Sequence, residues 1–254
     1  MRDHELLDLG GRQGKRVGGF YNPFPVSRHG FVFANMSPSF FSLIALIHEM
    51  GHAINFDYHL KSSPRWRHFR MEIAELFSHS MELLCLDKLG VFYKDQNDFR
   101  AAVQQRIRRS ISMLMGPLSG DAFQHWLYTH PGHTKEERDQ AFYEIYKRYF
   151  GHPVDDSGYE ALVASQWISS AHFFASPFYN IEYSMAELGA LQILKRYQEN
   201  PQEAIDGYKR SASAEDTSNS IAEIYKEAGI QFDFSDRVIQ DAGRFVQQLW
   251  KQSR

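Results

Sequence analysis

The chain has one cysteine, Cys85, among 254 residues. A single thiol excludes an intrachain disulfide and any cysteine-rich zinc site, and it suits a reducing compartment. No apolar run approaches the roughly 18–20 residues needed to span a bilayer. The start, Met1-Arg2-Asp3-His4-Glu5, lacks the apolar segment of a signal peptide. These absences make a cytoplasmic protein without membrane association the expectation. An excess of basic charge is missing as well: 28 Lys and Arg stand against 31 Asp and Glu, a net charge of −3. No global positive field therefore argues for nucleic acid. Two local basic clusters, Arg65, Arg67, His68 and Arg70, and Arg106, Arg108 and Arg109, read as solvated helix faces.

What is present is ordinary globular material, with 43% hydrophobic and 23% charged residues. Residues 1–30 are rich in Gly, Pro and basic residues and read as loop or short strand. Phe31–Asn35, bounded by Gly30 and Ser37-Pro38, reads as a strand, which could equally be the edge on which an extended peptide pairs or one buried by its phenylalanines. Ser37-Pro38 and Ser63-Pro64 each look like an N-cap with Pro at the first helical position. They predict helices over about 38–59 and 64–88. Three- and four-residue apolar spacings predict further helices near 96–114, 134–149, 157–171, 178–198, 201–210, 218–228 and 234–252. Thr129–His133 and Gly151–Val154 break neighbouring pairs, and Ser211–Ser220 reads as a surface loop ending in a cap. There is no repeat and no long linker. The expectation is one mainly α domain over 1–254, with a small N-terminal β element.

The chemistry concentrates at His48-Glu49-Met50-Gly51-His52, an HExxH pattern. Residues four apart on a helix share a face, so His48 and His52 can present two imidazole nitrogens to one metal ion. Glu49, rotated by about 100°, is placed to take a proton from a water on that metal. The run Leu43–Ile47 implies a buried helix, and buried histidines beside a buried glutamate need partners. A catalytic zinc site takes three protein ligands and leaves one position open. Glu72, Glu75, His79 and Glu82 share one face of the next helix. Spacing alone leaves Glu72 and Glu75 both open as the third ligand, and a solvated acidic stripe is the competing reading. His172, Tyr179 and Tyr183 fall close together further on. As donors they suit an oxyanion, and as aromatics they equally suit core packing.

These segments resemble the catalytic half of the oligoendopeptidase F and thimet oligopeptidase family of zinc peptidases, which are gluzincins. His48–His52 matches its His-Glu-x-Gly-His, and Glu75–Glu82 matches Glu-x-x-Ser-x-x-x-Glu. Gly14-Lys15-Arg16-Val17-Gly18 resembles the segment that opens the catalytic region. Tyr149–Gly151, Trp167–Tyr179 and Ala228–Ile230 resemble its C-terminal part. Tyr179–Gly189 looks closer to another oligoendopeptidase branch than to oligoendopeptidase F itself. Ile181 stands where the family often has another Tyr, and Ala175-Ser176-Pro177 departs from the glycine-rich thimet-type segment.

The resemblance implies a zincin-like helical catalytic domain and selects Glu75 as the third ligand of one Zn²⁺, beside His48 and His52. It implies Glu49 as general base on a zinc-bound water. His172 and at least one of Tyr179 and Tyr183 would face the scissile carbonyl. The implied function is a zinc-dependent endopeptidase acting on oligopeptides. Family members usually carry a long N-terminal helical half before the catalytic segment at which this match begins, so either a fragment or a reduced form with an open cleft is the expectation. The alternative is therefore a zinc-binding, non-proteolytic module that needs that half, and self-association is a further expectation.

Overall fold

The computed structural model describes residues 5–60, 71–151, 154–214 and 219–254. The basic cluster Arg65–Arg70, the Ser63-Pro64 start signal and His152-Pro153 lie outside these residues, as does the side chain of Glu72. The chain divides into two compact units, Met1–Ile107 with Ala186–Arg254, and Arg108–Met185.

The first unit opens with three strands, β1 (Leu7–Gly10), β2 (Phe20–Phe24) and β3 (His29–Met36). Their order is β1-β3-β2, with β1 parallel and β2 antiparallel to β3. β3 is thus the middle strand, with Val32 opposite Leu7 on one side and Tyr21 on the other. Of the two readings of Phe31–Asn35, the edge is therefore corrected and the buried strand holds, although Val32 and Ala34 rather than the phenylalanines are its buried side chains. Its backbone groups are already paired on both sides, and among the described residues the outer strands are β1 and β2. Pro23 fits the edge position of β2, since proline cannot donate to a ladder. Lys15 lashes the sheet together. Its buried Nζ donates to Asp8 O, Gly10 O and Ala34 O at 2.9, 2.9 and 2.6 Å, and to Asp8 Oδ1 at 3.0 Å.

Helix α1 (Phe40–His59) carries the HExxH pattern. Its cap is Ser39, not Ser37: the Ser39 hydroxyl accepts from Ser42 N–H at 3.3 Å. Helix α2 (Met71–Leu84) ends earlier than expected, and Leu86–Val91 forms a 3-10 turn. Helix α3 (Gln96–Thr129) runs through Pro117, past the expected end at 114. An internal proline costs about 3 kcal/mol. The burial of Ser119, Gly120, Phe123 and Gln124 beyond it offsets that cost.

Helix α4 (Lys135–Phe150) starts on a capping box, with Thr134 N–H donating to Glu137 Oε2 at 2.8 Å and Glu137 N–H to Thr134 Oγ1 at 3.2 Å. The helix expected over 157–171 is instead α5 (Glu160–Ala164), a 3-10 turn at Gln166–Ser169, and α6 (His172–Ala175). Serine hydroxyls interrupt it: Ser165 Oγ donates to Leu162 O and Ser169 Oγ to Gln166 O, at 3.0 and 2.7 Å. Helices α7 (Ile181–Glu199), α8 (Pro201–Ala214), α9 (Ile221–Glu227) and α10 (Asp236–Gln252) complete the described chain. Helix α8 absorbs Ser211 and Ala212, expected in a loop, because both are buried. Ser220 caps α9, with Glu223 completing its box.

The core of the first unit joins Ile73, Leu76 and Phe77 of α2 to Ile193 of α7, Tyr208 of α8 and Ile224 of α9. Each large side chain so buried contributes about 1.5–3 kcal/mol. Tyr208 OH donates to Phe77 O at 3.1 Å, and this ties α8 to the backbone of α2. The second unit has its own core of Phe123, Phe142 and Trp167, with Phe173 edge-on to Phe123. Trp167 Nε1 donates to Asp139 Oδ1 at 3.0 Å. Phe178 holds a left-handed backbone at φ 61°, and its N–H donates to buried Gln124 Oε1 at 2.9 Å. No described helix is long and apolar enough to cross a membrane. The mainly α architecture with a small N-terminal sheet is as the sequence leads one to expect.

Candidate metal centre

Two helices build the site, and one glycine sets how closely they approach. A β-carbon on Gly51 would stand 2.6 Å from Ser78 Cα, so α1 can press its backbone onto α2 only with glycine there. Gly51 lies just before His52, and Ser78 lies one turn beyond Glu75. Close contact at this point brings His48, His52 and Glu75 to one place. His48 Nε2 is 3.2 Å from Glu75 Oε2, and His52 Nε2 is 3.8 Å from the same oxygen. These three side chains could together hold a metal ion. The Ser78 hydroxyl donates to Glu75 Oε2 at 3.0 Å and fixes the carboxylate.

Around this trio the polar groups are arranged in layers. His48 Nδ1 lies 2.8 Å from Glu82 Oε1. A carboxylate only accepts, so Nδ1 donates its proton to Glu82, while Nε2 faces Glu75 and donates to it when the ring is protonated. Behind Glu82 lies Arg106, whose Nε pairs with Glu82 Oε2 at 2.8 Å. Its two terminal nitrogens donate to Glu187 Oε1 and Oε2, both at 3.0 Å. His79 Nδ1 donates to Glu187 Oε2 at 2.7 Å. Glu82, Arg106, Glu187 and His79 are all at most 1% exposed. His48, His79 and Glu82 also form a second group with metal-ligand spacing. Within it, the His48–Glu82 contact is already a hydrogen bond.

The electrostatics favour a cation. Burial works against the His48 imidazolium, but Glu75 and Glu82 outweigh it and push its pKa up to about 10. Burial instead draws His52 down to about 4, which leaves it neutral and able to ligate. Burial also opposes the Glu75 carboxylate, yet His48 and His52 hold it well below the usual range. Glu82 is held at about 2 against burial, chiefly by Arg106. The two carboxylates flanking His48 thus stabilise a positive charge on its ring. Burial raises Glu49 to about 7, against the opposing effects of His48 and the Tyr21 N–H. A carboxylate near neutrality can take up and return a proton.

The remaining predicted residues lie in the second unit and come together there. His172 stacks on Tyr179 with ring centroids 5.5 Å apart, and Tyr183 OH stands 3.3 Å from His172 Nε2. All three are half-buried.

The family model for peptidase family M3 matches residues 2–244. The chain belongs to peptidase family M3. Among curated proteins this M3 chain is similar to an oligoendopeptidase F homolog of Borreliella burgdorferi. The two are 25% identical over 208 residues, which cover 79% of this chain and 34% of that protein. Among solved structures it is similar to PZ peptidase A with inhibitor 2, at 28% identity and a TM-score of 0.89 over 98% of this chain and 44% of that one. A Bacillus anthracis str. Ames protein assigned to oligoendopeptidase F gives 26% identity and a TM-score of 0.82, over 100% of this chain and 41% of that one. The M3 chain therefore spans about a third of the curated relative and about two-fifths of the matched structures.

Sequence reading missed two members of the M3 chain's buried network. The reading of Arg106 as part of a solvated face with Arg108 and Arg109 is corrected, since Arg106 is fully buried. The signal lay in its spacing, since Ala102, Ile107 and Ser110 mark the buried face of α3 that Arg106 shares. Glu187 sits likewise among Ser184, Ala190, Leu191 and Leu194 on the buried face of α7.

Proposed function

We propose that this chain carries the centre of a zinc-dependent endopeptidase that cleaves oligopeptides, with His48, His52 and Glu75 holding one Zn²⁺ and Glu49 acting as general base. The observation that carries this reading is the convergence of His48 Nε2, His52 Nε2 and Glu75 Oε2. Two imidazoles and one carboxylate are a known donor set of catalytic zinc sites. Tetrahedral ligands about 2.0–2.1 Å from zinc stand roughly 3.3–3.4 Å apart. The separations of 3.2 and 3.8 Å from Glu75 bracket that value. Ca²⁺ and Mg²⁺, which prefer oxygen ligands, fit the two nitrogens poorly.

Zinc at this site would supply Lewis acidity, lowering the pKa of water toward about 7 and polarising a carbonyl. Glu82 keeps His48 in the ligating tautomer. Glu49 accepts the proton of the attacking water and passes it to the departing amine, a task suited to a carboxylate raised to about 7. His172, with Tyr183 or Tyr179, supplies donors to the oxyanion. The matching family segment and the chemistry of imidazole and phenol donors support this role. The oligopeptide class of substrate is carried over from the oligoendopeptidase names of the relatives.

The test is mass spectrometry of a digested peptide mixture, with and without chelator, for the wild type and Glu49→Gln. Internal cleavage by the wild type is expected, and the chelator should abolish it. Glu49→Gln is expected to bind zinc with turnover reduced by at least about 10²-fold. Full turnover by Glu49→Gln removes Glu49 as the base. Zinc binding without cleavage of any peptide would make the chain a zinc-binding interaction module.

A further inference from the structure

A metal-binding trio needs little beyond its ligands and their immediate hydrogen bonds. This chain buries four more ionisable groups behind them, drawn from α2, α3 and α7. Burying charge is expensive, and well-packed apolar residues in its place are often no less stable. The arrangement is also directional. Arg106 directs both terminal nitrogens, in a bidentate hydrogen-bonded fork, to Glu187, while its Nε lies 2.8 Å from Glu82 Oε2 as an ion pair. His79 holds Glu187 from another side. Glu82, engaged by Arg106 through Oε2, uses Oε1 for His48. The chain of contacts runs His79–Glu187–Arg106–Glu82–His48, and every link is between 2.7 and 3.0 Å.

We propose that Arg106, Glu187 and His79 form a buried clamp that fixes the Glu82 carboxylate, and through it the orientation of His48, so that zinc affinity depends on residues that never touch the metal. This rests on the zinc reading above. The three are positioning residues. Glu187 sets where the guanidinium lies, His79 sets where Glu187 lies, and the guanidinium stops Glu82 from rotating away from His48 Nδ1. A simple field effect would act differently. Removing the Glu187 charge would weaken a nearby cation through space, but changing Arg106 to Lys keeps the charge and would leave the field almost unchanged. In the clamp, Lys cannot span two carboxylates with a planar fork, so Arg106→Lys also weakens binding.

The test measures the zinc dissociation constant by competition with a chromophoric chelator, well below the melting temperature, for the wild type, Arg106→Lys, Glu187→Gln, Glu82→Gln and Glu82→Gln/Glu187→Gln. Outer hydrogen-bond partners of metal ligands are typically worth about 10–100-fold in affinity. Arg106→Lys and Glu187→Gln are each expected to weaken zinc binding by about tenfold, the lower end of that range. With Glu82 already replaced, Glu187→Gln is expected to change the constant by less than about twofold, because the path through Glu82 is gone. An unchanged constant in Arg106→Lys, or fully additive losses in the double variant, overturns the clamp. A lower melting temperature with unchanged zinc affinity does so too, by showing that the network serves stability alone. If Glu187→Gln does not fold, His79→Gln with Arg106→Lys provides the same comparison. A wild type that binds no zinc refutes the site itself, whereas a wild type that binds zinc no better than the variants refutes only the clamp.

Discussion

Gly51 crosses α2 at Ser78 so closely that even a methyl group has no place: its carbon would lie 2.6 Å from Ser78 Cα and 3.0 Å from Phe77 O. Both obstacles are backbone and cannot swing aside. Gly51→Ala should push α1 and α2 apart, destabilising the protein by about 1–3 kcal/mol as overpacked cores do. The same movement separates His52 from Glu75. Thermal denaturation of the metal-free protein should show a fall of several degrees, and zinc titration should show weaker binding. A variant with wild-type melting and affinity would mean that the helices tolerate a wider spacing.

The pH dependence of stability should carry the mark of Glu187. Its carboxyl is held below the usual range because Arg106 and His79 outweigh the opposing effect of burial. The folded state therefore binds its proton less readily than the unfolded state. The resulting stabilisation is complete above the unfolded value near 4.5 and is lost as pH falls toward the folded value. Urea unfolding in chelator should show stability dropping between pH 5 and pH 3, with Glu187 contributing on the order of 2 kcal/mol. Glu187→Gln should be less stable at pH 6 and should flatten the slope in that window.

Lys15 gives a local prediction. Its ammonium bonds three backbone carbonyls on two strands, and Lys15→Met removes those contacts while nearly preserving the aliphatic stem. Charge-assisted hydrogen bonds are worth roughly 1.5–3 kcal/mol. The loss should appear first where β1 meets β3. Hydrogen exchange at the Val32 amide, which donates to Leu6 O at 2.9 Å, should quicken in Lys15→Met while α2 amides such as Phe77 stay protected.

The aromatic trio of the second unit separates its two tyrosines. Tyr183 OH reaches His172 Nε2, whereas Tyr179 stacks its ring on the imidazole. If the pair His172–Tyr183 supplies the oxyanion donors, Tyr183→Phe should lower kcat by about 10²–10³-fold with little change in KM or zinc content. Tyr179→Phe, which keeps the stacked ring, should cost less. The reverse order would move the donor role to Tyr179.

The two residues that sequence reading placed least well, Arg106 and Glu187, show what a linear pattern can and cannot reveal. His48, Glu49 and His52 were legible because helix periodicity alone puts them together. Glu75 required the family pattern, since Glu72 has the same residue type on the same face. Arg106 and Glu187 are charged residues in amphipathic helices, where charge normally marks the wet side. Only their tertiary pairing makes burial tolerable, and pairing between α3 and α7 leaves no mark in either segment alone. The strands show the same limit: Phe31–Asn35 was legible as a strand, but its central place depends on β1 and β2, whose glycine-rich flanks hid them. The failed helix over 157–171 has a local cause, the serines that bond back to nearby carbonyls.

The first unit is discontinuous in sequence, interrupted by Arg108–Met185. A ribosome therefore delivers His48, His52, Glu75, Glu82 and Arg106 well before Glu187, Ile193, Tyr208 and Ile224. At about 5–20 residues per second the interval between Arg106 and Glu187 is roughly 4–16 s. Through that interval the guanidinium has lost water to no second carboxylate, and α2 has no α7, α8 or α9 to bury it. Maturation of the centre is thus a late event in biogenesis, timed by chain order, and a chain released early would carry the ligand motif without the scaffold that shapes it.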